Sequence, residues 1–145
     1  MSIRISEDAA VVAEQLHSAA IHLLRKLRRQ DMASGLSAPR LSALSVVVFA
    51  GPVTLGDLAA AEQVRPPTMT RIVSALTKQG LVEKRKNERD GRIRLIGATP
   101  TGKKLLIEGK ERRVRVLAES IAGLDAEDRA TLKRAVEILR EISGG

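Results

Sequence analysis

Two consecutive prolines, Pro66-Pro67, stand before the run TMTRIVSALTKQG (residues 68–80), and nothing else restricts the fold of this chain so tightly. Proline has no amide proton and holds φ near −65°, so the pair can begin a helix but cannot lie inside one. Whatever precedes must end by Arg65, and a new helix must start there. Gly80 suits its C-terminal cap. Upstream, Thr54-Leu-Gly-Asp57 has the spacing of a capping box, although Asp reaches back less well than Glu, and it opens a short apolar segment with Leu55, Leu58 and Ala59. The expected unit is helix, tight connection, helix.

On the second helix Met69, Ile72, Val73 and Leu76 fall on one face at helical spacing. Pro67, Arg71, Ser74 and Lys78 lie opposite, Thr68 and Thr70 flank them, and Arg65 precedes. A small, hydroxylated, basic face suits a recognition helix, because short side chains permit close approach to the major groove and Arg pairs with guanine or phosphate. Taken alone, such a helix is more commonly a Thr/Ser-rich solvent face with no partner. The segment downstream of Gly80 changes the balance. Val82 to Lys86 and Arg92 to Ala98 are expected as two strands joined at Asn87–Gly91, where Asp-Gly signals a hairpin because Gly accepts positive φ. Cations crowd this hairpin: Arg85, Lys86, Arg89, Arg92 and Arg94. Asp90 cannot favour phosphate by charge and is expected to cap the turn and hold a neighbouring Arg. A hairpin beside a recognition helix is a wing, whose tip can enter a minor groove where narrow A·T stretches attract Arg.

The charge distribution agrees. Residues 1–64 hold six Lys/Arg and six Asp/Glu, residues 65–115 fifteen and five, and residues 116–145 four and six, so the net +8 lies wholly in the middle. Cations clustered in this way suit a polyanion, since they release condensed counterions from phosphates. With no cysteine, disulfides, thiolate metal sites and thiol chemistry are excluded, and Phe49 as the sole aromatic offers no stacking platform for single strands. His17 and His22 point to different faces of one helix, Glu14 and His17 alone do not make a metal site, and no catalytic motif is present. No enzyme activity, metal or cofactor is expected.

The flanks read as helices. Ser6 caps the first, with Glu7 and Asp8 in its first turn, Arg25, Lys26, Arg28 and Arg29 in its last, and an apolar stripe through Val12, Leu16, Ala20, Leu23 and Leu27. A helix from Ser37, with Pro39 in its first turn, runs to Gly51-Pro52; its Val46-Val-Val-Phe49 run suits a strand by propensity, but caps at both ends favour helix. Thr99 and Pro100 begin a long helix broken near Gly123, and Asp125-x-x-Asp128 begins another. Burying the terminal stripes calls for a dimer, with a monomeric helical bundle as the alternative.

The order "GPVTLGDLA", "PPTMTRIVSALTKQGLVEKR", "RDGRIRLIGATPTGKKL" resembles the MarR family of bacterial transcriptional regulators, over roughly residues 37–106. The resemblance rests on Thr70-Arg71, Gly80-Leu81-Val82, Asp90-Gly91-Arg92 and Thr99-Pro-Thr-Gly102; Gly91 departs from it, since many relatives carry a second Arg there. The resemblance implies a mainly α fold with a small β-hairpin wing: an N-terminal dimerisation helix (1–36), a winged helix-turn-helix domain (37–99) and C-terminal dimerisation helices (100–145). It also implies a homodimer on double-stranded DNA and repression relieved by a small-molecule effector, for which no pocket motif transfers residue by residue. Thiol oxidation cannot be the signal here. The alternative function is a winged-helix module for protein interaction or RNA binding. No run approaches the roughly 18 apolar residues of a membrane span, and MSIRISEDAA lacks the core of a secretory signal, so a cytoplasmic protein with no membrane partner is expected.

Overall fold

The computed structural model describes residues 4–144. In chain order it contains α1 (Glu7–Arg28), a 3-10 segment (Arg29–Ser34), α2 (Ala38–Ala50), α3 (Leu55–Ala61), α4 (Pro66–Lys78), β1 (Val82–Lys86), β2 (Arg94–Ala98), α5 (Pro100–Ala122) and α6 (Ala126–Ser143). This is the mainly helical class with a small hairpin that the sequence implies. The chain divides into two compact units, one reaching Lys110 and one from Glu111 onward. Among the described residues no single helix is long and apolar enough to cross a membrane.

The caps explain where the helices begin. Ser6 Oγ accepts the Ala9 amide at 3.2 Å, Thr54 Oγ1 accepts that of Asp57 at 3.1 Å, and Asp125 Oδ1 accepts that of Asp128 at 2.8 Å, each satisfying a first-turn donor with no helical partner. The Val46–Phe49 run is helical, and its burial outweighs the strand propensity of β-branched residues: Val47 is buried in the core, and the Gly51 amide closes the helix on the Val47 carbonyl.

The buried apolar side chains run from Leu36 to Ala98 and come from α2, α3, α4 and the root of the hairpin. Leu44, Leu58, Met69, Leu76 and Val82 are fully enclosed. Removing any of the larger ones to Ala leaves a cavity costing on the order of 2–5 kcal/mol. In contrast, α1 and α6 each contain no buried residue. Their apolar side chains, among them Val12, Leu16 and Leu23 on α1 and Val136 and Leu139 on α6, stand in the open.

The hairpin departs from expectation in two ways. β2 begins at Arg94, not Arg92, because the Ile93 carbonyl accepts the Asn87 amide and closes a loop of residues 87–93 below the register Lys86↔Arg94. Gly91 is also not at positive φ; the described positive-φ residues are Gln63, Gly35, Gly80 and Gly144. The turn is instead an Asp90–Ile93 reverse turn, with the Ile93 amide on the Asp90 carbonyl and Asp90 Oδ1 accepting the Arg92 amide at 3.0 Å. Asp at the first position bonding two residues ahead needs no left-handed residue in the middle.

Candidate nucleic-acid interface

The connection between α3 and α4 is four residues, Glu62 to Arg65, and a left-handed residue sets its angle. Gln63 has φ +55°, with its amide on the Ala60 carbonyl and the Val64 amide on the Ala59 carbonyl. These two bonds form a Schellman cap, usually built on Gly. No Gly marks the position, so the sequence carried no signal for it. The same pair of bonds recurs where α4 ends: Gly80, at φ +71°, donates to Thr77 and Leu81 donates to Leu76.

From this frame α4 presents two faces. Met69, Val73 and Leu76 are buried and Ile72 packs partly against the core, while Arg65, Pro67, Thr68, Thr70, Arg71, Ser74 and Lys78 are all exposed. The sequence-predicted recognition face is therefore brought together on one side. Two of its members have local work as well. Thr70 Oγ1 donates to the Pro66 carbonyl at 2.9 Å, so its hydroxyl proton is engaged within the helix. Prolines occupy the first two helical positions, so Thr68 supplies the only amide in the first three residues, and the helix end is a poorer anion nest than most. Contact there falls to side chains.

α4 leads through Gly80-Leu81 directly into β1, and a clamp fixes the junction to α5. Thr99 Oγ1 donates to the Gly80 carbonyl at 2.6 Å and accepts the Gly102 amide at 3.1 Å, and the Thr99 amide donates to the Leu81 carbonyl at 3.1 Å. Gly102 is buried in this contact: a Cβ there would lie 2.1 Å from the Leu81 carbonyl oxygen. The Thr-x-x-Gly spacing is thus a weld between the end of α4, the foot of the hairpin and the start of α5. A further brace escaped the sequence reading altogether, because a single residue has no period. Val53, before α3, pairs with Ile96 through two hydrogen bonds of 3.0 and 2.7 Å.

On the hairpin, Arg85, Lys86, Arg89, Asp90, Arg92 and Arg94 are all exposed. Asn87 Oδ1 accepts the Arg89 amide at 2.8 Å and Asp90 Oδ1 that of Arg92, so both turn side chains organise backbone and leave the guanidinium groups outward. Among the described residues Arg71, Lys78, Lys86, Arg89, Arg92 and Arg94 take part in no ion pair. Arg85 differs. Its guanidinium meets Glu83 Oε1 at 2.7 Å and donates to the Ala98 carbonyl at 3.0 Å.

A helix-turn-helix whose second helix runs straight into an antiparallel hairpin defines a winged helix-turn-helix protein. The family model described as the MarR family matches residues 36–93. An HTH-type transcriptional regulator of Mycobacterium tuberculosis is 35% identical over 133 residues, 92% of this chain and 93% of that one. A transcriptional regulator of Thermotoga maritima has the same fold, with a TM-score of 0.82 at 19% identity over 92% of this chain and 94% of that one. A Staphylococcus aureus MepR mutant bound to an oligodeoxyribonucleotide gives 0.72 at 18% identity, over 90% of this chain and 97% of that one. The chain belongs to the MarR family and is a helix-turn-helix, DNA-binding transcriptional regulator.

Proposed function

We propose that this protein is a homodimeric repressor that binds an inverted-repeat operator in double-stranded DNA, with α4 in the major groove and the hairpin tip in the adjacent minor groove. The observation that carries the reading is the outer face of α4. It has no carboxylate, its cations are unpaired among the described residues, and it is continuous along the chain with a hairpin that bears three exposed Arg at or beside its tip. Arg71 is assigned the base contact, because it lies mid-face within the first two turns; Lys78, nearly two turns further on, is assigned a phosphate. Arg89, Arg92 and Arg94 are assigned to the minor groove and its phosphates. The exposed apolar side chains of α1, and separately those of α6, support dimerisation. The oligodeoxyribonucleotide held by the MepR mutant supports DNA as the partner. Family membership supports release by a small-molecule effector and a place in the cytoplasm.

Selection of bound duplexes from a random pool tests the reading. Enrichment of an inverted repeat with half-sites about one helical turn apart is the expected result. Recovery of no preferred duplex, alongside tight binding to RNA or to a protein, would establish the alternative module instead.

A further inference from the structure

The cationic side chains of the hairpin do not all face outward as free charges, and Arg85 is the exception. It sits on β1 opposite Leu95, yet its guanidinium reaches diagonally across β2. Nε donates to Glu83 Oε1 at 2.9 Å and Nη2 donates to the Ala98 carbonyl at 3.0 Å. The group lies flat over Gly97: a Cβ at that position would fall 2.7 Å from Cζ, 2.8 Å from Nε and 2.9 Å from Nη1. Gly97 is buried although it belongs to a two-stranded ribbon, and Arg85 occupies the space that a side chain there would fill. Ala98 adjoins Thr99, whose hydroxyl holds the end of α4. One side chain therefore ties β1, β2 and the weld at the foot of the recognition helix.

We propose that Arg85 is a positioning residue of the wing, seated in the Gly97 vacancy, and that it sets the angle at which the free cations Arg89, Arg92 and Arg94 meet DNA without itself neutralising a phosphate. A fork of fixed N–H donors suits this task, whereas Lys has one charged point and cannot reach two acceptors in a plane. The inference rests on the DNA-binding reading above, but the seat itself can be tested without DNA.

Two substitutions separate a brace from a contact. Arg85→Gln removes the guanidinium. Gly97→Ala leaves its charge in place and evicts it from the seat, and the clash is with the mobile end of a long side chain, so the fold is retained. In the free proteins, amide hydrogen exchange is expected to rise in Val82–Lys86 and Arg94–Ala98 for both variants and to stay at the wild-type level in α2 and α4. On the selected duplex both are expected to bind about three- to tenfold more weakly, the scale of one lost hydrogen-bonding group. Preference for A·T flanks should fall, while the half-site preference and the dependence of log K on log salt stay as in wild type. Gly97→Ala should add nothing in an Arg85→Gln background. A salt slope shallower by about one unit per subunit in Arg85→Gln, with Gly97→Ala binding like wild type, would make Arg85 a phosphate contact and overturn the proposal. Faster exchange throughout the domain would overturn it too, by making Arg85 a general stabiliser. If wild-type protein enriches no duplex, the DNA-binding reading fails, and exchange in the free proteins still decides whether Arg85 braces the hairpin.

Discussion

A methyl group added at position 102 would press on main chain, the Leu81 carbonyl 2.1 Å away, and main chain welded on both sides by Thr99 has little room to yield. Gly102→Ala should therefore destabilise the domain by about 1–3 kcal/mol, the usual cost of overpacking, as read from the urea midpoint. Gly91→Ala is the contrast. Nothing lies within 4 Å of a Cβ there and φ is not positive, so its midpoint should stay within about 0.5 kcal/mol of wild type. Arg71 carries the specificity prediction: Arg71→Ala should cost on the order of 1–3 kcal/mol per half-site on operator and much less on scrambled duplex. Equal losses on the two duplexes would remove Arg71 from its assigned role. Residues of this kind were unevenly legible. The outward position of Arg71 was readable from helical spacing, whereas Gly102 announces nothing in one sequence beyond the Thr-x-x-Gly resemblance, because its reason is a carbonyl brought there by the fold.

At the level of elements, helix and wing should divide the labour. Arg92→Ala, at a turn whose amide is held by Asp90, should weaken operator and scrambled duplex nearly alike, and what selectivity is lost should concern A·T flanks. Lys78→Ala should lower the salt slope by about one unit per subunit without changing the chosen sequence. Titrations at several salt concentrations check both; loss of half-site preference in either variant would reverse the division. The elements themselves were largely readable, because prolines, Gly80 and side-chain caps are local signals. The Val46–Phe49 run was readable as helix from the signals at its two ends, although Ser37 makes no side-chain cap bond and it is burial of Val47 that outweighs the strand propensity. What failed was local chemistry with a second solution: Asp-Gly suggested a left-handed glycine, and the chain made an Asp-capped turn and started β2 two residues later. Gln63 and Val53 were invisible for a different reason, since one adopts a conformation its residue type does not advertise and the other pairs as a single residue.

At the scale of the whole molecule, the open apolar faces of α1 and α6 predict association. Light scattering at micromolar concentration should return about 31 kDa, twice the 15.7 kDa of one chain. Leu16→Asp on α1 or Val136→Asp on α6 should shift that mass toward the monomer without unfolding the α2–α4 core, which draws no buried residue from either helix. A monomer in the wild type would end the inverted-repeat proposal. The weld at Thr99 acquires a mechanical meaning here. α5 starts just after this threonine, and its first turn is fastened to the end of α4 and the foot of the hairpin. Because the three bonds of this one threonine join the end of α4, the foot of the hairpin and the start of α5, a load on the first turn of α5 reaches the helix and the hairpin together, and neither can shift alone.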